Sequence, residues 1–190
     1  FERHLRPLEK IMPPKNNPNE FALDSMNDIL GGSFTARINM NLREDKHWSY
    51  GARSIIWDAA AQRPFFVYAP VQSDKTKEAV AEIDKELTAI GEGGERPPTS
   101  EELDKVKDQK TLTLPGRWET NGAVMDDIAE MVRFGLEEDY WDTYADAVRA
   151  LRLEDIEEQA STALQPDRAV WVVVGDRSQI EPGLRELGLG

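Results

Sequence analysis

The uninterrupted apolar run Ala169-Val170-Trp171-Val172-Val173-Val174, closed by Gly175-Asp176, constrains this chain most. A continuous β-branched run of this length suits a strand covered on both faces, and the glycine ends it. It predicts a strand central in its sheet. Two earlier segments supply possible neighbours. Residues 50–57 end in Ile55-Ile56-Trp57, and residues 65–71 read Phe65-Phe66-Val67-Tyr68-Ala69-Pro70-Val71. Both carry the aromatic and β-branched content of strands, with Asp58 to Pro64 as the hairpin connection.

Helical spacing fills the rest. Phe21, Leu23, Met26, Ile29 and Leu30 recur at helical intervals, and Gly31-Gly32 is expected to end that helix through the left-handed conformation glycine tolerates. Ser33 reads as the N-cap of a second helix, with Phe34, Ile38 and Leu42 as its buried stripe. A helix over 74–90 follows, with Val80, Ile83, Leu87 and Ile90 inward. After the glycine-rich loop from Gly91, Thr99 and Glu102 form a capping box that opens a helix to about Leu114. Further helices are expected over 118–134 (Val124, Ile128, Met131 and Val132 inward), 140–151 and 153–164, with a short helix at the end. Strands early and late with helices between predict an α+β two-layer sandwich, a mostly antiparallel sheet with helices packed on one face. Residues 1–19, rich in Pro and Asn, read as an irregular N-terminal segment, and residues 20–190 as one domain.

The 190 residues are enough to bury a sizeable core, and a 39% hydrophobic content argues against disorder. The net charge of −13 repels phosphate backbones and anionic lipid, so neither nucleic acid nor a membrane surface is an expected partner. With no cysteine, disulfides, thiolate metal sites and a Cys nucleophile are excluded. No apolar run reaches the roughly 20 residues of a membrane span. The chain opens without Met and reads as a fragment of a longer protein, which leaves its compartment, periplasmic or cytoplasmic, open.

The two histidines, His4 and His47, have no second His at i+4 and make no helical zinc pair, so no metal site is expected in this chain. No G-x-S-x-G elbow is present for a Ser nucleophile. The acidic pairs, such as Asp126-Asp127 and Glu157-Glu158, read as solvated helix faces. Arg43 and Tyr50 remain, one near a helix end and one at a strand start. Arg holds a carboxylate or peptide carbonyl through its rigid fork of donors, and a Tyr hydroxyl donates to a carbonyl or an oxyanion forming on it. On spacing alone, a buried Tyr and an Arg in a helix-terminal ion pair with Glu44 or Asp45 are the favoured reading of the two.

One stretch is more specific. Leu30-Gly31-Gly32-Ser33-Phe34-Thr35-Ala36-Arg37, then Leu42-Arg43-Glu44-Asp45-Lys46, then Ser49-Tyr50-Gly51-Ala52, resembles the C-terminal, non-catalytic domain of the pitrilysin/insulinase-type (M16) zinc metallopeptidases. Pro97-Pro98-Thr99-Ser100-Glu101-Glu102-Leu103 and Val172-Val173-Val174-Gly175-Asp176 resemble later family segments in the same order. The family's P-G-x-x-Q-S-like first strand is not seen in residues 1–19.

The resemblance implies the LuxS/MPP-like metallohydrolase fold. It implies a zinc-free, substrate-binding half that closes the chamber of a zinc metalloendopeptidase. A partner half bearing H-x-x-E-H would supply zinc and the general base, from the same parent chain or a separate subunit. Arg43 and Tyr50 match the family's pair that approaches the peptide substrate, so no catalytic residue is expected here, only substrate-binding ones. Two other readings are a non-proteolytic assembly subunit of the same fold and a stand-alone peptide-binding module.

Overall fold

The computed structural model describes residues 12–91 and 93–188. His4 lies outside the described residues. The chain folds as α1 (Glu20–Asn27), α2 (Arg37–Asn39), β1 (Arg53–Ile56), β2 (Phe65–Tyr68), α3 (Thr76–Ala89), α4 (Ser100–Leu112), α5 (Leu114–Arg117), α6 (Asn121–Phe134), α7 (Tyr140–Ala150), α8 (Leu153–Ala163) and α9 (Arg177–Arg185). Wider π-helical turns extend α1 through Asp28–Gly32 and α2 through Met40–Asp45. It is an α+β fold in which a small antiparallel sheet meets a helical layer. β1 pairs with β2 from Arg53↔Tyr68 to Ile56↔Phe65, the bridge Ser49↔Val71 extends the hairpin at its open end, and Met12, from the N-terminal segment, bridges Arg63 beside the turn.

The core lies between the hairpin and the helices. Leu23, Met26 and Leu30 of the first helix are fully buried, as are Ile38 and Leu42 of the second, Ile90 after α3 and Ile156 of α8. α1 packs along α8, α4 against α7, and α3 against α9. β1 crosses the end of the first helix so closely that a Cβ on Gly31 would stand 2.6 Å from both Ser54 N and Ser54 Oγ. The Ser54 hydroxyl donates to Asn27 Oδ1 at 2.7 Å and pins the strand there. Gly31 is therefore required by the approach of a neighbouring backbone, since it is not among the residues with positive φ. The helix continues through Gly32 and does not end in a left-handed cap.

A buried ionic cluster fastens the hairpin tip. Arg63, 1% exposed, donates to both Glu20 oxygens, to Asp58 at 2.8 Å and to the Pro13 carbonyl at 2.7 Å. Burial lowers the affinity of this guanidinium for its proton, but Glu20 and Asp58 more than offset that and hold it charged.

Four expectations need correction. Among the described residues the segment 169–174 belongs to no ladder and forms no assigned strand. Val170, Val172 and Val174 face outward while Trp171 rests on the core, so the alternation of a one-sided strand appears without a neighbouring strand. Ser33 is not a cap; Ala36 occupies that position in extended backbone. Phe34 is 67% exposed, while its expected stripe-mates Ile38 and Leu42 are buried. On α6, Val124, Ile128 and Val132 point outward, and the inward residues are Asp127 and Phe134. Asp127 turns α6 over, because its carboxylate accepts from Arg117 Nε at 2.7 Å, Arg117 Nη2 at 2.6 Å and Trp118 Nε1 at 2.7 Å. No helix among the described residues is long and apolar enough to cross a membrane.

Candidate substrate-binding site

The segment between α2 and β1 is shaped by its own backbone. Both Trp48 N (2.9 Å) and Ser49 N (3.2 Å) donate to the Leu42 carbonyl, folding the chain back on the helix end. His47 makes the turn in the left-handed region, φ 57°, where His is found more readily than most residues. Its Nδ1 sits 3.0 Å from the Arg43 carbonyl, and its own carbonyl accepts from Gln72 at 3.0 Å. The Ser49 hydroxyl donates to the Pro70 carbonyl at 2.7 Å. Asn39, buried in α2, braces both sides of the segment. Its amide donates to the Phe34 carbonyl at 2.6 Å, and its oxygen accepts from Ala52 N at 3.0 Å.

This scaffold brings Arg43 and Tyr50 to one recess of about 540 Å³, which Trp48, Val71 and Gln72 also line. Tyr50 is fully exposed, so the alternative of a buried Tyr does not hold. The other alternative holds in part, because Arg43 Nη1 lies 3.5 Å from Glu44 Oε1. That pair is half-exposed and of the kind worth little. Arg43 Nη1 is shielded from water and has no hydrogen-bond partner. The guanidinium stacks 4.5 Å above the Phe34 ring. A cation over an aromatic face is held in position while its N–H edges stay free to donate. Exposed Phe34 therefore acts as a platform for Arg43, a role its place in the apolar stripe did not reveal. Lys46 and Lys75 stand 5.7 and 5.9 Å from the Trp48 ring.

Two further motif residues are structural. Arg37, 6% exposed, forks onto Glu102 at 2.7 and 2.6 Å and donates to the Arg96 and Pro97 carbonyls at 2.5 and 2.9 Å. Glu102 is also the capping-box carboxylate of α4, accepting from Thr99 N at 2.9 Å. The first motif and the later Pro-Pro-Thr motif are thus halves of one contact. Among the described residues, no three His, Asp or Glu side chains converge on a point where a metal would sit, and the residues present do not fit zinc.

The Peptidase M16 inactive domain family matches residues 10–110. This chain belongs to that family. No curated protein sequence matches it. Solved structures with the same fold include the peptidase M16 inactive domain from Pseudomonas fluorescens (20% identity, TM-score 0.75, 83% of this chain and 37% of that one). A protease from Helicobacter pylori is also similar (19%, TM-score 0.61, 80% and 36%). So is a chain of complex III2 from Candida albicans (15%, TM-score 0.64, 80% and 37%). At these identities the likeness is one of fold. The M16 domain here spans little more than a third of each of these chains.

Proposed function

We propose that residues 20–190 form the zinc-free, substrate-binding half of a zinc metalloendopeptidase, completing a chamber with a catalytic half that carries H-x-x-E-H. The observation that supports this most directly is the state of Arg43 and Tyr50. One folded-back segment presents them to one recess, and neither spends its donors on the protein interior. A Tyr hydroxyl open to solvent donates to a substrate carbonyl beside the scissile bond. Arg43, propped on Phe34, holds the peptide backbone or its carboxylate through its free edge. Zinc, held by the partner half, supplies the activated water. This chain's residues bind and orient the peptide.

The test is turnover of the assembled enzyme. Tyr50→Phe and Arg43→Ala should each lower kcat/KM by about tenfold or more, the scale of a lost charge-assisted or oxyanion hydrogen bond, with the melting temperature unchanged. Unchanged turnover in both variants refutes the role. A second reading, a non-proteolytic assembly subunit, draws support from the complex III2 likeness. It predicts that native complexes of this chain contain no H-x-x-E-H half and cleave no peptide.

A further inference from the structure

His47 is the one residue other than glycine with positive φ among the described residues. Glycine would make the same turn with no side chain to crowd the backbone, so the turn by itself does not require an imidazole. His47 is exposed and lines the same recess as Arg43 and Tyr50. Its two ring nitrogens differ. Nδ1 lies 3.0 Å from the Arg43 carbonyl. A carbonyl oxygen only accepts, so Nδ1 carries the proton. In the neutral ring Nε2 is then an acceptor, and it has no protein partner among the described residues. The contact with the Arg43 carbonyl sets both the tautomer and the orientation of the ring before any ligand arrives.

Arg43 and Tyr50 bring donors to the recess, and the Glu44 carboxylate lies against Arg43. Gln72 directs its amide to the His47 carbonyl and braces the turn. An extended peptide presents C=O and N–H groups in alternation, and an N–H withdrawn from water without an acceptor weakens binding. We infer that His47 is a third substrate-binding residue, whose Nε2 accepts a backbone N–H of the peptide. This rests on the proposed role of the recess in holding a peptide, and it adds a selectivity. A residue that lacks the N–H, proline or an N-methylated amino acid, is disfavoured at the contacted position.

The test measures kcat and KM of the assembled enzyme on a quenched fluorogenic peptide, and on a series in which N-methylalanine replaces one residue at a time. His47→Asn and His47→Gly both tolerate the left-handed turn and lack Nε2. Their melting temperatures check that the fold is intact. Each should lower kcat/KM about fivefold to tenfold, chiefly through KM, the scale of one lost hydrogen bond. One position of the N-methyl series should cost the wild type a similar factor and cost the two variants nothing further. Three results overturn the inference. If Tyr50→Phe or Arg43→Ala lowers kcat/KM and neither His47 variant does, the recess holds the peptide without His47. If the His47 variants lose activity but every N-methyl position costs them what it costs the wild type, His47 only shapes the turn. If all four variants turn the peptide over as the wild type does, the recess is not the peptide site, and the inference falls together with the proposed function.

Discussion

Arg37→Met tests the claim that one ion pair joins the two motifs. Met keeps the apolar stem and removes four hydrogen bonds, two to Glu102 and one each to the Arg96 and Pro97 carbonyls. Removing one partner of a buried pair costs about 3–5 kcal/mol, because a charge is left behind without its counter-ion. Two observations place Arg37 at the low end. Glu102 is 29% exposed against 5% for Arg37, so water reaches the orphaned carboxylate. Glu102 also retains the Thr99 amide at 2.9 Å and the Thr99 hydroxyl at 3.0 Å. The expected loss is about 3 kcal/mol, a fall in melting temperature of roughly 6–12 °C for a chain of this size. Urea unfolding followed by tryptophan fluorescence gives the free energy, and a thermal melt gives the second reading. A double-mutant cycle with Glu102→Gln should return a coupling of about 1.5–3 kcal/mol. A loss under about 1 kcal/mol would class the pair with ordinary surface ion pairs and refute the reasoning.

Gly31→Ala should cost about 2–3 kcal/mol in the same unfolding assay, because its Cβ would meet the backbone nitrogen of Ser54 at 2.6 Å and a strand amide cannot step aside. Burial pushes the Glu102 carboxyl up, but the Arg37 hydrogen bond and the Thr99 amide outweigh burial and hold it below its usual 4.5. The stability this confers is therefore complete above about pH 4.5 and is lost as pH falls through the lowered folded value. Glu102→Gln should flatten the stability curve in that acid window alone. Asp127→Ala removes the acceptor of three hydrogen bonds and should speed amide exchange in α6 at least tenfold, with α1 and α8 unchanged when exchange is followed residue by residue.

The sequence made local features legible and left those set by distant partners hidden. The capping box at Thr99 and Glu102 shows in four adjacent residues, and α4 starts there. The hairpin is similarly local, and β1 and β2 pair within the expected ranges. The run at 169–174 has strand composition, yet a strand exists only beside another, and composition does not supply the neighbour. Periodicity placed Val124, Ile128 and Val132 on one face of α6 correctly. It could not say which face turns inward, because buried Asp127, with its Arg117 and Trp118 partners, decides that against the apolar stripe. Phe34 fits the helical spacing of Ile38 and Leu42, but the helix begins only at Arg37, so the spacing that links them does not exist in the chain. The substrate-binding role proposed for Arg43 and Tyr50 rests on a resemblance. Residue type and spacing alone did not separate them from an ordinary ion pair and a core tyrosine.

The stretch from Leu30 to Ala52 divides its polar groups in a way that bears on what the domain does. Arg37 directs its guanidinium inward to Glu102 and two carbonyls. Asn39 satisfies the Phe34 carbonyl and the Ala52 amide. Asn41 donates to Glu82 and Glu86, and Ser49 closes on Pro70. Each of these residues fixes the backbone that carries its neighbours. Arg43 and Tyr50 sit among them and do none of this: one rests on an exposed ring and the other stands in solvent. If stability alone had shaped the segment, a free Arg edge and a bare phenol would contribute nothing to it. On the proposed function, a rigid frame around a solvent-open phenol and an Arg whose ion pair, to Glu44, is half-exposed lowers the ordering cost of binding a peptide, because the frame carries that cost before the ligand arrives. On the proposed function, Asn39→Ala should reduce peptide turnover of the assembled enzyme more than its loss of stability accounts for, since Asn39 fixes both flanks of the recess.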